Sequence, residues 1–206
     1  MRRATPLILI VLLSFGVAAR TLPQEAPEET EPAQDEAADE TEETLADLTI
    51  PGTPHELLEG TVGRFNLTIR VWSAPDTEPT ETTGTAEGQW ILGKRFVETR
   101  YEGEVMGRPF EALKIEGFER ATDEYVTTWR DNLGTYTMIF RGRCGTTCET
   151  RTMTGEFMDP ISKQKLQIRG VTTLQEEGGY TYESTIVTPT GVSFKNMELV
   201  AERPSP

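Results

Sequence analysis

The sequence predicts an all-β protein, a single antiparallel up-and-down β-barrel of about ten strands with a short N-terminal helix in front of it. Two observations support this fold class. Turn signals recur about every ten residues from residue 65 onward, with β-rich runs between them. No helical pattern of ordinary length interrupts these runs, and their short connections require antiparallel pairing. Many even strands with short turns indicate a sandwich or a barrel, and closure into a barrel removes exposed sheet edges.

The first residues form a pattern typical of a signal peptide. Arg2 and Arg3 precede the apolar run LILIVLLSF at residues 7–15, and small residues end at Ala19. This order predicts a signal peptide over residues 1–19, cleaved after Ala19. An uncleaved anchor is the alternative. We therefore expect a periplasmic or secreted protein with no stable membrane span after cleavage.

An acidic segment follows at residues 20–49. Between Glu25 and Asp47 there are eleven Asp or Glu residues and no Lys or Arg. Such a segment buries too little apolar surface to offset its ordering entropy, so a disordered linker is expected. Of the net charge of −14, residues 1–47 (three Arg, eleven acids) contribute −8, and residues 48–206 (17 bases, 23 acids) contribute −6. An acidic domain repels phosphate backbones, so no nucleic-acid partner is expected.

The barrel domain is predicted over residues 50–203, with a short tail at 204–206. A short helix is expected first, because Pro54 and Gly60 bracket residues 54–59 as helix boundaries do. Phe65 and Val71 bound a run in which apolar and polar residues alternate, which predicts the first strand. The later strands are predicted at 80–91, 95–105, 110–119, 124–131, 135–143, 148–157, 164–175, 180–188 and 192–202.

Two of these strands indicate what faces the interior. In 95–105 one face is charged, from Glu98 to Glu104, and we expect that face to lie in solvent. In 124–131, four residues share a face: Tyr125, Thr127, Trp129 and Asp131. Aromatic groups with a few polar groups are typical of a cavity that binds a small molecule.

Several short motifs occur in a specific order between Thr53 and Arg203. They are PHELL at 54–58, VG at 62–63, WILGKRFVE at 90–98, MGRPFE at 106–111, GFE at 117–119, YVTTWRDN at 125–132 and GEFMDP at 155–160. By these motifs the chain resembles a bacterial family known as domain of unknown function 1579. It departs from the family in having Phe65 where Trp is usual and Phe118-Glu119 where Tyr-Asp is usual.

The resemblance implies a calycin-type, lipocalin-like β-barrel and no known reaction. Gly63-x-Phe65 is similar to the Gly-x-Trp that opens lipocalins, where the aromatic ring closes the barrel base beside an arginine. Arg203 would take that place through a cation–π contact, a structural role.

Cys144 and Cys148 are the two cysteines of the chain. In an exported protein a disulfide is the first interpretation, and the short loop gives about 2 kcal/mol in the chain-entropy model. His55 is the single histidine, so a zinc site lacks ligands. As a haem ligand His55 is less favoured than as a capping or packing residue near the barrel mouth. We predict no metal and no cofactor.

Three functions remain open. The first is binding of a small-molecule ligand, partly apolar or lipophilic. The second is an enzyme, a hydrolase or isomerase, using an inward carboxylate with a raised pKa. The third is an envelope protein-interaction domain with a packed barrel and an exposed apolar patch. Ligand binding is favoured because no catalytic constellation is evident, and its candidate lining residues are Trp72, Trp90, Tyr101, Tyr125, Trp129 and Asp131.

Overall fold

The computed structural model of the protein describes residues 47–105, 107–145, 148–159, 162–176 and 178–205. The predicted signal peptide and the linker up to residue 46 lie outside the described residues. Residues 47–49, at the end of the predicted linker, are helical. In the described part of the chain, no helix is both long and apolar enough to cross a membrane.

Ten antiparallel strands form a closed barrel within the described residues. Each strand pairs with the next along the chain, and the last strand closes the barrel against the first, from Asn66↔Glu202 to Val71↔Met197. This confirms the predicted fold class. The strands are β1 (Gly63–Val71), β2 (Thr80–Ile91), β3 (Phe96–Val105), β4 (Arg108–Glu119), β5 (Glu124–Asp131), β6 (Met138–Cys144), β7 (Thr150–Met158), β8 (Lys165–Leu174), β9 (Gly179–Val187) and β10 (Ser193–Glu202).

A short helix precedes the barrel and packs on one end of it. It consists of α1 (Thr53–Glu56) and a 3₁₀ turn, η1 (Leu57–Thr61). Leu58 and Thr61 are fully buried against the barrel end. Gly88 on β2 permits the close approach of η1, because a Cβ there would clash with the carbonyl oxygen of Thr61. The helix therefore covers the end of the barrel at which β1 begins.

His55 has the capping and packing role expected of it, but the helix that carries it covers the closed end of the barrel, where β1 begins, and not the barrel mouth. Its Nδ1 accepts a hydrogen bond from the backbone N–H of Gly52 at 3.1 Å. The centres of the His55 and Phe118 rings lie 5.9 Å apart, and the rings are nearly perpendicular. Burial lowers the pKa of His55, so the neutral ring that accepts this bond is favoured.

Side chains alternate between the interior and solvent along each strand. On β3, Val97 and Tyr101 are buried while Arg100 and Glu102 are exposed. The charged face of this strand therefore lies in solvent, as predicted. Alternation on β5 places Tyr125, Thr127, Trp129 and Asp131 on the inward face.

Two further contacts lie at strand ends: a cation–π contact and a disulfide. The guanidinium carbon of Arg203 lies 4.4 Å from the centre of the Phe65 ring, and its Nη1 donates to the carbonyl of Val62 at 2.8 Å. Gly63, at φ +107°, leaves room for this guanidinium, which any Cβ there would meet. The predicted disulfide joins Cys144 and Cys148 in the turn between β6 and β7.

Candidate functional site

A cavity of about 330 Å³ occupies the half of the barrel away from the helix. Its position follows from its lining, which includes the last residues of β1, β3 and β5 (Val71, Val105 and Asp131), whereas η1 packs where β1 begins. The volume is at the lower end of the roughly 300–1,000 Å³ of small-molecule pockets. Most lining side chains are apolar: Ile69, Val71, Val105, Phe110, Trp129, Leu133, Met138, Phe140, Met153, Phe157, Ile168, Ile186, Met197 and Leu199.

Below the cavity the barrel is filled by side chains. Phe65 and Tyr180 meet edge to face at 5.3 Å, and Leu58 and Val97 have no exposed surface. Tyr125 is buried beside them and donates from its hydroxyl to the carbonyl of Pro54 at 3.0 Å. The cavity is therefore closed at this end, and we call the layer where it meets the packed core its floor.

Three charged side chains meet at the floor, and we call them the floor cluster: Lys114, Glu116 and Arg151. Nζ of Lys114 donates to Oε2 of Glu116 at 2.9 Å, and Nε of Arg151 lies 3.3 Å from Oε1. Glu116 is 3% exposed and Arg151 is 1% exposed. Lys114 and Glu116 line the cavity, while Arg151 lies behind them and donates from Nη1 to the carbonyl of Leu57 at 3.1 Å.

The floor cluster holds two cations and one carboxylate. Burial alone would raise the pKa of Glu116, but the charges of Lys114 and Arg151 together lower it to about 2. Glu116 is therefore ionised at neutral pH, and the cluster carries one net positive charge. Within the described part of the chain, Nη2 of Arg151 has no hydrogen-bond partner. Nε of Arg151 is close to Oε1 of Glu116 but is not aligned for a hydrogen bond.

Neutral hydroxyl groups surround the cluster on the cavity side. The hydroxyls of Tyr101 and Tyr180 lie 3.4 Å apart, and Ser184 Oγ donates to Asn196 Oδ1 at 2.9 Å. Burial raises the pKa of Tyr101, Tyr180 and Tyr182, so these phenols stay protonated. The floor thus offers a cation together with neutral donors.

Asp131 organises the opposite rim of the cavity. Its carboxylate accepts from Trp129 Nε1 at 2.8 Å, from the backbone N–H of Leu133 at 3.0 Å and from the Tyr136 hydroxyl at 3.5 Å. These bonds hold Leu133 and Tyr136, which also line the cavity, in the turn after β5. Asp131 therefore has the turn-stabilising role typical of an aspartate at a strand end.

Half of the candidate lining residues come together at the cavity. Tyr101, Trp129 and Asp131 line it, and the Tyr101 and Trp129 rings lie 5.2 Å apart. Trp72, Trp90 and Tyr125 lie outside the lining.

Each of these three aromatic residues has another partner. Nζ of Lys195 lies 5.5 Å from the Trp72 ring centre, and Trp90 Nε1 donates to Glu59 Oε2 at 2.6 Å. Tyr125 packs in the core at the closed end of the barrel, below the floor.

The floor cluster is absent from the candidates proposed from sequence. A signal existed on β4, where Phe110, Ala112 and Phe118 are separated by even numbers of residues and therefore share one face. Applied strictly, that period places Lys114 and Glu116 on the same inward face. The same alternation places Arg151 on the inward face of β7 with Met153 and Phe157, but a charged residue at a strand end is normally assigned to solvent.

The fold and the cavity define this protein as a closed calycin-like barrel with an internal cavity. The chain belongs to the family described as "Protein of unknown function (DUF1579)", whose model matches residues 50–203. Its fold is similar to that of a solved structure, Rv2717c from M. tuberculosis, with a TM-score of 0.58 and 11% identity. That similarity covers 76% of this chain and 100% of the other. No curated protein matches the sequence.

Proposed function

We propose that this protein binds a small, partly apolar molecule inside its barrel. The observation that supports the proposal is the cavity of about 330 Å³, which has apolar walls and a few polar groups gathered at its floor. A barrel packed solid by side chains would have offered no such space. Tyr101, Trp129 and Asp131 are the proposed ligand-contacting residues among the candidates from sequence, together with Lys114 at the floor.

The enzyme alternative has less support. It required an inward carboxylate with a raised pKa, and the fully buried carboxylate of Glu116 has a lowered pKa instead. An ionised Glu116 held by two cations is a poor general acid, and its lone pairs already face Lys114 and Arg151.

We also propose that the protein acts after export, in the periplasm or outside the cell. The disulfide between Cys144 and Cys148 supports this location, because such bonds persist in oxidising compartments. Sequencing the N-terminus of the protein recovered from the cell envelope or medium tests it. The expected first residue is Arg20; a retained Met1 would show that the segment is not cleaved.

Native mass spectrometry tests ligand binding directly. The mature protein is purified from its own compartment, and its mass is measured before and after denaturation. We expect an excess mass that is lost on denaturation, because an apolar cavity of this size retains a ligand through purification. A bare mass, together with no binding of small amphiphiles in solution, would contradict the proposal.

A further inference from the structure

We propose that the ligand is an anionic amphiphile, a monocarboxylate with an apolar tail, whose carboxylate lies beside Lys114 at the floor. This inference rests on the proposed function and goes one step further, to the chemical class of the ligand. It follows from three features of the cavity: the charge of its floor, the unused donors there and the apolar walls above them.

The first feature is an excess of buried positive charge. Lys114 and Arg151 share the single carboxylate of Glu116, and among the described residues neither cation has a second ion-pair partner. A charge in a low-dielectric interior is stable only when it is paired and hydrogen-bonded. One more anion at the floor would therefore bring the net charge of the floor cluster to zero.

The second feature is that Lys114 presents free donors to the cavity. An ammonium has three N–H groups, and Nζ of Lys114 uses one of them on Glu116. Its side chain is 12% exposed and lines the cavity, whereas Arg151 lies behind it. A ligand carboxylate entering from the mouth reaches Lys114 first.

Neutral hydroxyls complete the head-group site. Nζ of Lys114 lies 5.9 Å from the centre of the Tyr180 ring, whose hydroxyl is next to that of Tyr101. Only one proton of this hydroxyl pair is used between them, so the other is free to donate to a carboxylate oxygen. A cation from Lys114 and a neutral phenol suit the two oxygens of one carboxylate.

The third feature sets the direction of the ligand. Asp131, the rim carboxylate, is held in the turn after β5, and among the described residues it forms no ion pair with Lys114 or Arg151, so it does not neutralise the floor. Between rim and floor the walls are apolar, including Phe110 and Met138. The head group therefore lies inside and the tail extends toward the mouth. A cationic head group would meet Lys114 and be repelled.

Isothermal titration calorimetry with a matched pair of probes tests the inference. The mature protein, cleared of endogenous ligand, is titrated with decanoate and with decanol, which share a tail and differ in charge. We expect decanoate to bind at least tenfold more tightly, since a hydrogen bond to a charged group contributes about tenfold to a hundredfold in affinity. Lys114→Met should abolish this preference, because it removes the cation and so weakens decanoate binding far more than decanol binding.

A surface lysine provides the control. Lys165 is 63% exposed and pairs with Glu156 on the outer wall, so Lys165→Met should keep the preference for decanoate. If Lys114→Met fails to fold, Lys114→Gln and the wild-type comparison of the two probes still decide the question.

Equal binding of decanoate and decanol by the wild type would overturn the inference and leave the proposed function intact. A preference that survives in a folded Lys114→Met would also overturn it. Binding of neither probe, with a bare native mass, would overturn the proposed function itself.

Discussion

Oε2 of Glu116 accepts a hydrogen bond from Nζ of Lys114 at 2.9 Å, although both side chains point into a barrel whose walls are largely apolar. Arg151 contributes a second cation from β7, across the interior from β4, and so gives the cluster one net positive charge. Charge compensation between distant strands thus determines the chemistry of the cavity floor.

Removing the carboxylate of this cluster should be costly. Glu116→Gln leaves two buried cations without a counterion, and breaking a buried pair in this way costs about 3–5 kcal/mol. We expect that loss in the free energy of unfolding, measured by urea denaturation. Glu87→Gln is the matched control, because Glu87 pairs with Arg64 in solvent and should change stability little. Similar losses of unfolding free energy in the two variants would show that Glu116 does not serve as the counterion of two buried cations.

Stability should also depend on pH through Glu116. Its pKa falls from 4.5 to about 2 on folding, so the native state favours the ionised form and gains stability above pH 4.5. That contribution should be lost as the pH falls from 4.5 toward 2, where the carboxyl becomes protonated. We therefore expect the stability difference between wild type and Glu116→Gln to narrow over this window in urea titrations. A difference that stays constant would show that Glu116 titrates normally.

Filling the cavity should block binding without removing any polar group. Met138 lines the cavity, and the larger ring in Met138→Trp occupies space that a ligand needs. We expect decanol and decanoate affinities to fall at least tenfold by calorimetry, since burial of each ligand CH₂ contributes about 0.8 kcal/mol. Ile139 is 54% exposed on the outer face of the same strand, so Ile139→Trp should bind as the wild type does. Unchanged binding by a folded Met138→Trp would place the ligand elsewhere.

The contact between Arg203 and Phe65 should stabilise barrel closure. Arg203→Ala removes a cation–π contact and a hydrogen bond to Val62, each of which contributes about 1 kcal/mol or less. We expect a loss of about 1–2 kcal/mol in urea denaturation, with ligand binding retained. Arg64→Ala, which loses only an exposed ion pair, serves as the comparison and should change stability by less than about 0.5 kcal/mol.

The disulfide should make a modest contribution to stability. Linking Cys144 to Cys148 closes a short loop, for which the chain-entropy model gives about 2 kcal/mol. The double variant Cys144→Ser/Cys148→Ser should lose about 2 kcal/mol of unfolding free energy in urea denaturation. Its far-ultraviolet circular dichroism spectrum should stay that of the wild type. Adding dithiothreitol to the wild type should have the same effect, and adding it to the double variant should have none.

Local patterns in the sequence were sufficient for the fold. Residues 80–91 and 124–131 were predicted as strands and form β2 and β5 with those bounds. The alternation of buried and exposed residues sets both the strands and their inward faces, because successive side chains of a strand point to opposite sides. The turn signals set the antiparallel order, and the predicted export of a chain with two cysteines indicated the disulfide.

The site was predicted only in part. Tyr101, Trp129 and Asp131 were found because they share faces with apolar or aromatic neighbours. Trp72 and Trp90 were proposed on residue type alone, and both have partners outside the cavity, Lys195 and Glu59.

The sequence by itself therefore determined the strands and their antiparallel order, since these depend on local alternation and on short connections. The pairing of β1 with β10, which closes the barrel, joins the two ends of the domain and is a property of the tertiary structure. Only the tertiary structure showed that Lys114 and Glu116 take the inward positions that the alternation of β4 allows, although both are charged. A charged residue on a strand is normally assigned to solvent, because an isolated buried charge is unstable. That assignment fails here because Glu116 is paired with Lys114 on the same strand and also with Arg151, which is far away in sequence and reaches Glu116 across the barrel. Such compensation depends on distances between strands, which no local pattern contains.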